Sequence, residues 1–204
     1  MPRSTSPHLA RLAAVAVLAS GIALTGCTTT SPGAGSPPAS SPASDADLLA
    51  DHGLAGLDAT QIIERLDAMP VEDRPADLMA SVRPDALILT DGQERDWRLP
   101  MPEDEVYVAV APYRDQTHEC YFHSLTTCKG ELSDTEVRIV LTNADGDVLI
   151  NEVRRTFDNG FVGIWVPRGI EGTLTVKHEG SEGTVDVSTR GQDDPTCITS
   201  LHLA

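Results

Sequence analysis

The chain has 204 residues, with 15 Lys and Arg against 31 Asp and Glu and a net charge of −16 at neutral pH. A surface that acidic repels nucleic acid and anionic headgroups and mainly favours solubility; it concentrates cations loosely without making a specific site. The sequence carries no phosphate-binding P-loop, no Gly-rich dinucleotide fingerprint and no recognisable Ser-His-Asp set.

At the N-terminus Arg3 and Arg11 flank an apolar run, Leu12–Thr25, that ends in "LTGC" at Cys27. A short apolar stretch behind basic residues reads as an export signal and is short for a membrane span. Its end resembles the lipobox of bacterial lipoproteins, which implies cleavage before Cys27 and acylation of Cys27. Only Arg3 and Arg11 among the charged residues precede Cys27, so cleavage takes the net charge from −16 to −18. The expected location is the outer face of the cytoplasmic membrane or the periplasm, held by lipid. Residues 27–45 then form a tether rich in Ser, Thr, Pro, Gly and Ala, too poor in apolar groups to build a core.

Residues 46–84 read as a helical region. Asp45 is placed to cap a first segment with Leu48 and Leu49 as its apolar stripe and Gly53 as its stop. In "LDATQIIERLDAMP", Asp58 caps and Gln61 follows three residues later. Ile62, Ile63, Leu66 and Met69 share one face before Pro70. "RPADLMASVRP" (Arg74–Pro84) predicts a third short helical turn, with Leu78, Met79 and Val82 apolar. Met69 and Met79 are soft atoms, but their positions on apolar helical faces assign them to packing.

From Asp85 onward the period changes to alternation. "ALILT", "EVYVAVAPY", "EVRIVLTN", "DVLINEVRRTF", "FVGIWVP", "GTLTVKHEG", "GTVDVST" and "CITSLHL" all read as strands. Turn signals separate them at Asp91-Gly92, Asp145-Gly146, Asn159-Gly160 and between Gly180 and Gly183. "NADGD" (Asn143–Asp147) lacks the bidentate Glu of a calcium loop and reads as a hairpin turn. The predicted class is α+β: short N-terminal helices followed by an antiparallel β-sandwich-like domain over residues 85–204.

Chemistry concentrates in "HECYFHSLTTCKGEL" (His118–Leu132), in the long connection between two strands. With Cys27 assigned to lipid, Cys120, Cys128 and Cys197 remain. An odd number outside the cytosol permits one disulfide and leaves one thiol. If Thr117–Phe122 is extended, His118 and Cys120 lie on one side and Tyr121 and His123 on the other, making His118 with Cys120 the nearer ligand pair. The same alternation sets His202 opposite Cys197, so His202 is left out. Structural zinc sites use close ligand pairs; Cys120 and Cys128 are eight apart with no second tight pair, so zinc is not signalled. Thiolates and imidazoles also suit Cu(I). From spacing alone, a metal site and a plain disulfide stand level.

"THECYFHSLTTCKGEL" together with "DDPTCITSLHL" resembles the signature of the CueP family of extracytoplasmic copper-binding proteins. The resemblance implies copper tolerance and copper delivery outside the cytoplasm, with Cys120, Cys128 and Cys197 as the functional residues. It also implies a helical N-terminal part that dimerises, joined to a β domain. The lipobox and tether set this chain apart from soluble periplasmic members. The expected metal residues are Cys120, Cys128 and Cys197, with His118 and His123 as secondary ligands or proton acceptors. The expected partners are copper, copper-exporting or copper-accepting proteins and, through the lipid, the membrane. No enzyme activity is assigned, although two thiols can reduce Cu(II) as they join. Two other readings stay open: a metal-free thiol–disulfide oxidoreductase or redox sensor, and a β-sandwich interaction lipoprotein with one structural disulfide.

Overall fold

The computed structural model describes residues 49–204; Cys27, the tether and the cap expected at Asp45 lie outside the described residues. Helical residues 49–51 end at Gly53, whose φ of +65° turns the chain out of the helix. Helix α1 (Ala59–Asp67) begins as the sequence predicts. The Asp58 carboxylate accepts from the Gln61 amide at 2.9 Å, and the Gln61 side chain accepts from the Asp58 amide at 3.1 Å. Ile62, Ile63 and Leu66 are buried on its inner face, and Asp67 is buried with them. A single 3-10 turn, Val71–Asp73, follows Pro70.

The helical turn expected at Arg74–Pro84 is a strand instead. β1 (Leu78–Val82), β2 (Ala86–Asp91) and β3 (Asp96–Pro100) form an antiparallel three-stranded sheet in sequence order. "LMASV" fits both periods, since Leu78, Ala80 and Val82 recur at every second residue. Pairing with β2, from Leu78 opposite Asp91 to Val82 opposite Leu87, decides for the strand. Alternation then turns Met79 outward, 51 % exposed, where the helical reading put it in the core. β3 was not anticipated: its alternating Asp96, Arg98 and Pro100 are exposed, leaving only Trp97 and Leu99 to signal a strand.

The remaining strands fall on the segments read as strands in the sequence. β4 (Glu105–Val110) lies between β7 (Val162–Pro167), antiparallel to it, and β10 (Cys197–Ile198), parallel to it. β5 (Glu136–Asn143), β6 (Val148–Arg155), β8 (Glu171–His178) and β9 (Ser181–Ser188) form an antiparallel sheet in the order β6-β5-β8-β9. "NADGD" is the β5–β6 turn, its Asn143 Oδ1 accepting from the amides of Asp145 and Asp147. "CITSLHL" supplies only the two residues of β10 and an isolated bridge between His202 and Tyr113. The fold is β-rich, with antiparallel and mixed sheets and little helix.

β4 is buried on both faces. Val106, Val108 and Val110 join the core shared with β5, β7, β8 and β9, whereas Tyr107, Ala109 and Ala111 join the core under α1 and the first sheet. In β10 the alternation repeats, Cys197 facing the α1 side and Ile198 the other. Gly163 of β7 completes this wall: a Cβ there would lie 1.6 Å from the Tyr107 hydroxyl oxygen. Gly163→Ala is therefore expected to displace Tyr107 and to cost about 1–3 kcal/mol of stability, the usual range for overpacking a core. Urea unfolding measures this; a wild-type midpoint would show that the ring has room to yield.

Candidate metal centre

Three segments converge on the α1 side of β4. Val82 of β1 donates its amide to the His123 carbonyl at 2.8 Å, and Leu125 donates to Ala80 at 2.8 Å, so residues 123–125 line the edge of the first sheet. Thr196, fully buried, accepts from the His123 amide at 3.0 Å and donates to the Val82 carbonyl at 2.7 Å. The amides of Thr196 and Cys197 both point at the Tyr121 carbonyl, at 3.0 and 3.1 Å. A turn from Ser124 to Cys128, closed by the Cys128 amide on the Ser124 carbonyl at 3.1 Å, folds Cys128 back beneath Cys120.

The result brings all three cysteines together. Cys120 and Cys197 are joined as a disulfide between Cα atoms 5.7 Å apart, and Cys128 is a free, buried thiol. Cys128 Sγ lies 3.4 Å from Cys120 Sγ and accepts the Ser124 amide at 3.3 Å. His123 is fully buried; its Nδ1 lies 3.9 Å from Cys197 Sγ and its Nε2 3.1 Å from Asp67 Oδ1.

Behind the histidine lies a charge network. Asp67 Oδ1 also accepts from Asn159 Nδ2 at 3.0 Å, and Oδ2 from the Tyr107 hydroxyl at 2.6 Å. Arg74 donates to the Asp67 carbonyl at 3.0 Å and sits 3.8 Å from Oδ1. Burial alone would push the Asp67 carboxyl up, but the charge and hydrogen bond of His123, with those of Tyr107 and Asn159, bring it below its ordinary value. Burial likewise disfavours charged His123, yet Asp67 and then Cys128 raise it to about 9. For Cys128 burial opposes ionisation; the hydrogen bond and charge of His123 and the Ser124 amide outweigh it and lower the thiol. His123 thus shifts Cys128 toward the thiolate, the form that binds soft metals and attacks disulfides.

A family model described as "Periplasmic copper-binding protein CueP" matches residues 61–202. The chain belongs to the CueP family. The solved crystal structure of S.CueP is 35% identical to this chain and superposes with a TM-score of 0.74, covering 81% of this chain and 100% of that one. No curated protein matches the chain.

In this CueP family chain the five residues singled out in the sequence fall into two overlapping groups. His118, Cys120 and Cys128 form one, and His123, Cys128 and Cys197 the other; within each, the donor atoms lie within 4.8 Å of one another. His118 is exposed and Cys120 half-buried, whereas His123, Cys128 and Cys197 are all buried. The extended reading of Thr117–Phe122 made His118 the nearer partner and left His123 a secondary candidate; both lie beside the sulfurs, His123 because the turn after it carries Cys128 to the same side. His202 bonds the Arg114 carbonyl, away from the thiols.

Asp67, Tyr107, Arg74 and Asn159 were not anticipated. One signal was available for Asp67: it follows Ile63 by four residues, which puts a carboxylate on the buried stripe of α1. Asp67→Asn removes the carboxylate partner of the buried His123 ring, and breaking a buried pair costs roughly 3–5 kcal/mol. Because the folded-state carboxyl is depressed, its contribution is present above the unfolded value of 3.8 and is lost as pH falls through the folded one. Urea unfolding should show that loss at neutral pH and a shallower decline below about pH 4 for Asp67→Asn. Equal stability and an unchanged acid slope would refute the network.

Proposed function

We propose that this protein binds copper outside the cytoplasm, holding Cu(I) through Cys120, Cys128 and Cys197, so as to sequester or deliver it and support copper tolerance. The observation that carries this is the meeting of three sulfurs from residues 77 apart in sequence beside a buried imidazole. Thiolate and imidazole suit Cu(I), which accepts low coordination numbers. Membership of a family described as copper-binding supports the same choice. His118 serves as the ligand on the solvent side and His123 as the buried one. Structural zinc sites draw on closely spaced ligand pairs, which Cys120 and Cys128, eight residues apart, do not supply, so copper is preferred to zinc. When two reduced thiols meet two Cu(II) ions, each loses its proton to solvent and gives one electron, yielding two Cu(I), one disulfide and two protons. Cys120 and Cys197 are the pair placed to do so.

Among the described residues no helix is long and apolar enough to cross a membrane. The anchor in this reading is lipid on Cys27, supported by the lipobox sequence; radiolabelled palmitate should enter the wild-type chain and be lost in Cys27→Ala. Copper-exporting or copper-accepting proteins are the natural partners, and two copies pair through the N-terminal helical region.

A second reading rests on the free Cys128 thiol 3.4 Å from a disulfide sulfur, an arrangement that also serves thiol–disulfide exchange. It lacks the C-x-x-C at a helix N-terminus that commonly activates such thiols. Competition between the reduced protein and a Cu(I) chelator separates the two. One tightly bound Cu(I) per chain is expected, with at least about tenfold weaker binding in Cys128→Ser, equivalent to about 1.4 kcal/mol. Wild-type affinity in Cys128→Ser sinks the three-thiol site, and rapid exchange with substrate thiols without copper uptake favours the oxidoreductase.

A further inference from the structure

We infer that Asp67 is the positioning residue of the copper site: its carboxylate holds the Nε2 edge of His123, so that Nδ1 is presented to the sulfurs as the nitrogen ligand. This rests on the three-thiol reading above and adds to it a specific ring nitrogen and the residue that selects it.

An imidazole can offer either nitrogen to a metal, and the partner of the other nitrogen makes the choice. Here Nε2 lies 3.1 Å from Asp67 Oδ1, while Nδ1 is directed to Cys197 Sγ at 3.9 Å. The carboxylate cannot turn to release the ring. Asn159 bonds Oδ1 and Tyr107 bonds Oδ2, holding it from two sides, and Asp67 is the last residue of α1. The imidazole is equally constrained. Its backbone is fixed by Val82 and Thr196, and its ring lies 4.7 Å from that of Phe161, centroid to centroid. A carboxylate on the remote N–H of a metal-binding histidine fixes ring orientation and raises the basicity of the ligating nitrogen. His118 is exposed, and a ligand there would have to be ordered by the metal itself.

A plain structural tie between α1 and the loop would also explain the ion pair, so the test must read the ring and not the fold. Nitrogen NMR of histidine-labelled, reduced protein does this, since Cu(I) is diamagnetic. In the copper-loaded wild type, His123 should keep its proton on Nε2 while Nδ1 takes the shift of a metal-bound nitrogen. In Asp67→Asn the amide can donate to Nε2, which moves the proton to Nδ1 and blocks it as a ligand. Cu(I) affinity then falls roughly 10–100-fold, the usual cost of losing such a partner. Tyr107→Phe, which keeps the carboxylate and the shape of the core, should retain the Nε2 proton with a smaller loss of affinity. A loaded wild type with a proton on His123 Nδ1, or with His123 resonances unmoved by bound copper, overturns the inference even if Asp67→Asn does not fold. So does Asp67→Asn binding Cu(I) within about twofold of wild type. Failure of the wild type to take up Cu(I) at all would instead refute the three-thiol reading, which a copper–thiolate absorption band tests directly.

Discussion

A carboxylate removed from water must be met by donors and positive charge, or it stays protonated. Asp67 is where this protein meets that condition, and the demand organises much of what surrounds it. Satisfying one carboxylate draws together the end of α1, the centre of β4, the loop at His123 and the turn at Asn159. The cysteines lie on the far side of His123 from Asp67. Their geometry is therefore a consequence of charge satisfaction as well as of apolar packing. Asp67 is faced by His123 and Arg74, so the buried carboxylate keeps its counter-charge, and His123 in turn lowers the Cys128 thiol.

The two-sided burial of β4 gives this cluster a firm back wall. On one face its valines pack against the four-stranded sheet; on the other, Tyr107 reaches through to the carboxylate. β10 adds Cys197 to the same wall by parallel pairing with Ala109. The loop carrying Cys120, His123 and Cys128 has no strand of its own. It borrows order from the edge of β1 and from Thr196. Catching an irregular loop between two ordered edges is how the fold gives precision to residues that local structure leaves free.

Much of this was readable in advance, for physical reasons that differ by element. Strand-like apolar segments separated by Gly-containing turns located β5 to β9, and the Asp58–Gln61 pair located the start of α1. β1 was misread because five residues fit either period and only β2 decides. The three thiols were visible as residues, but their meeting depends on long-range closure that spacing does not encode. His123 was harder: its value comes from Asp67, 56 residues earlier, and from the turn at Ser124–Cys128, which lies beyond the stretch assumed extended. Asp67 itself was hidden by the very stripe it occupies, since helical periodicity identifies a buried face without weighing a charge placed upon it.

The alternation of β4 carries a further meaning for how the chain finds its native pairing. A slip of one residue against β7 would aim Val106 or Val108 at Asp67 and drive the Tyr107 hydroxyl into the valine core. It would also collide with the space that Gly163 leaves for one aromatic ring. Neighbouring valines are nearly interchangeable, so apolar packing alone discriminates poorly between adjacent alignments. A single hydroxyl with one acceptor, and a single glycine with one guest, distinguish them sharply. The polar cluster thus acts as a registration mark for the central strand, and the chemistry of the site helps to select the fold that contains it.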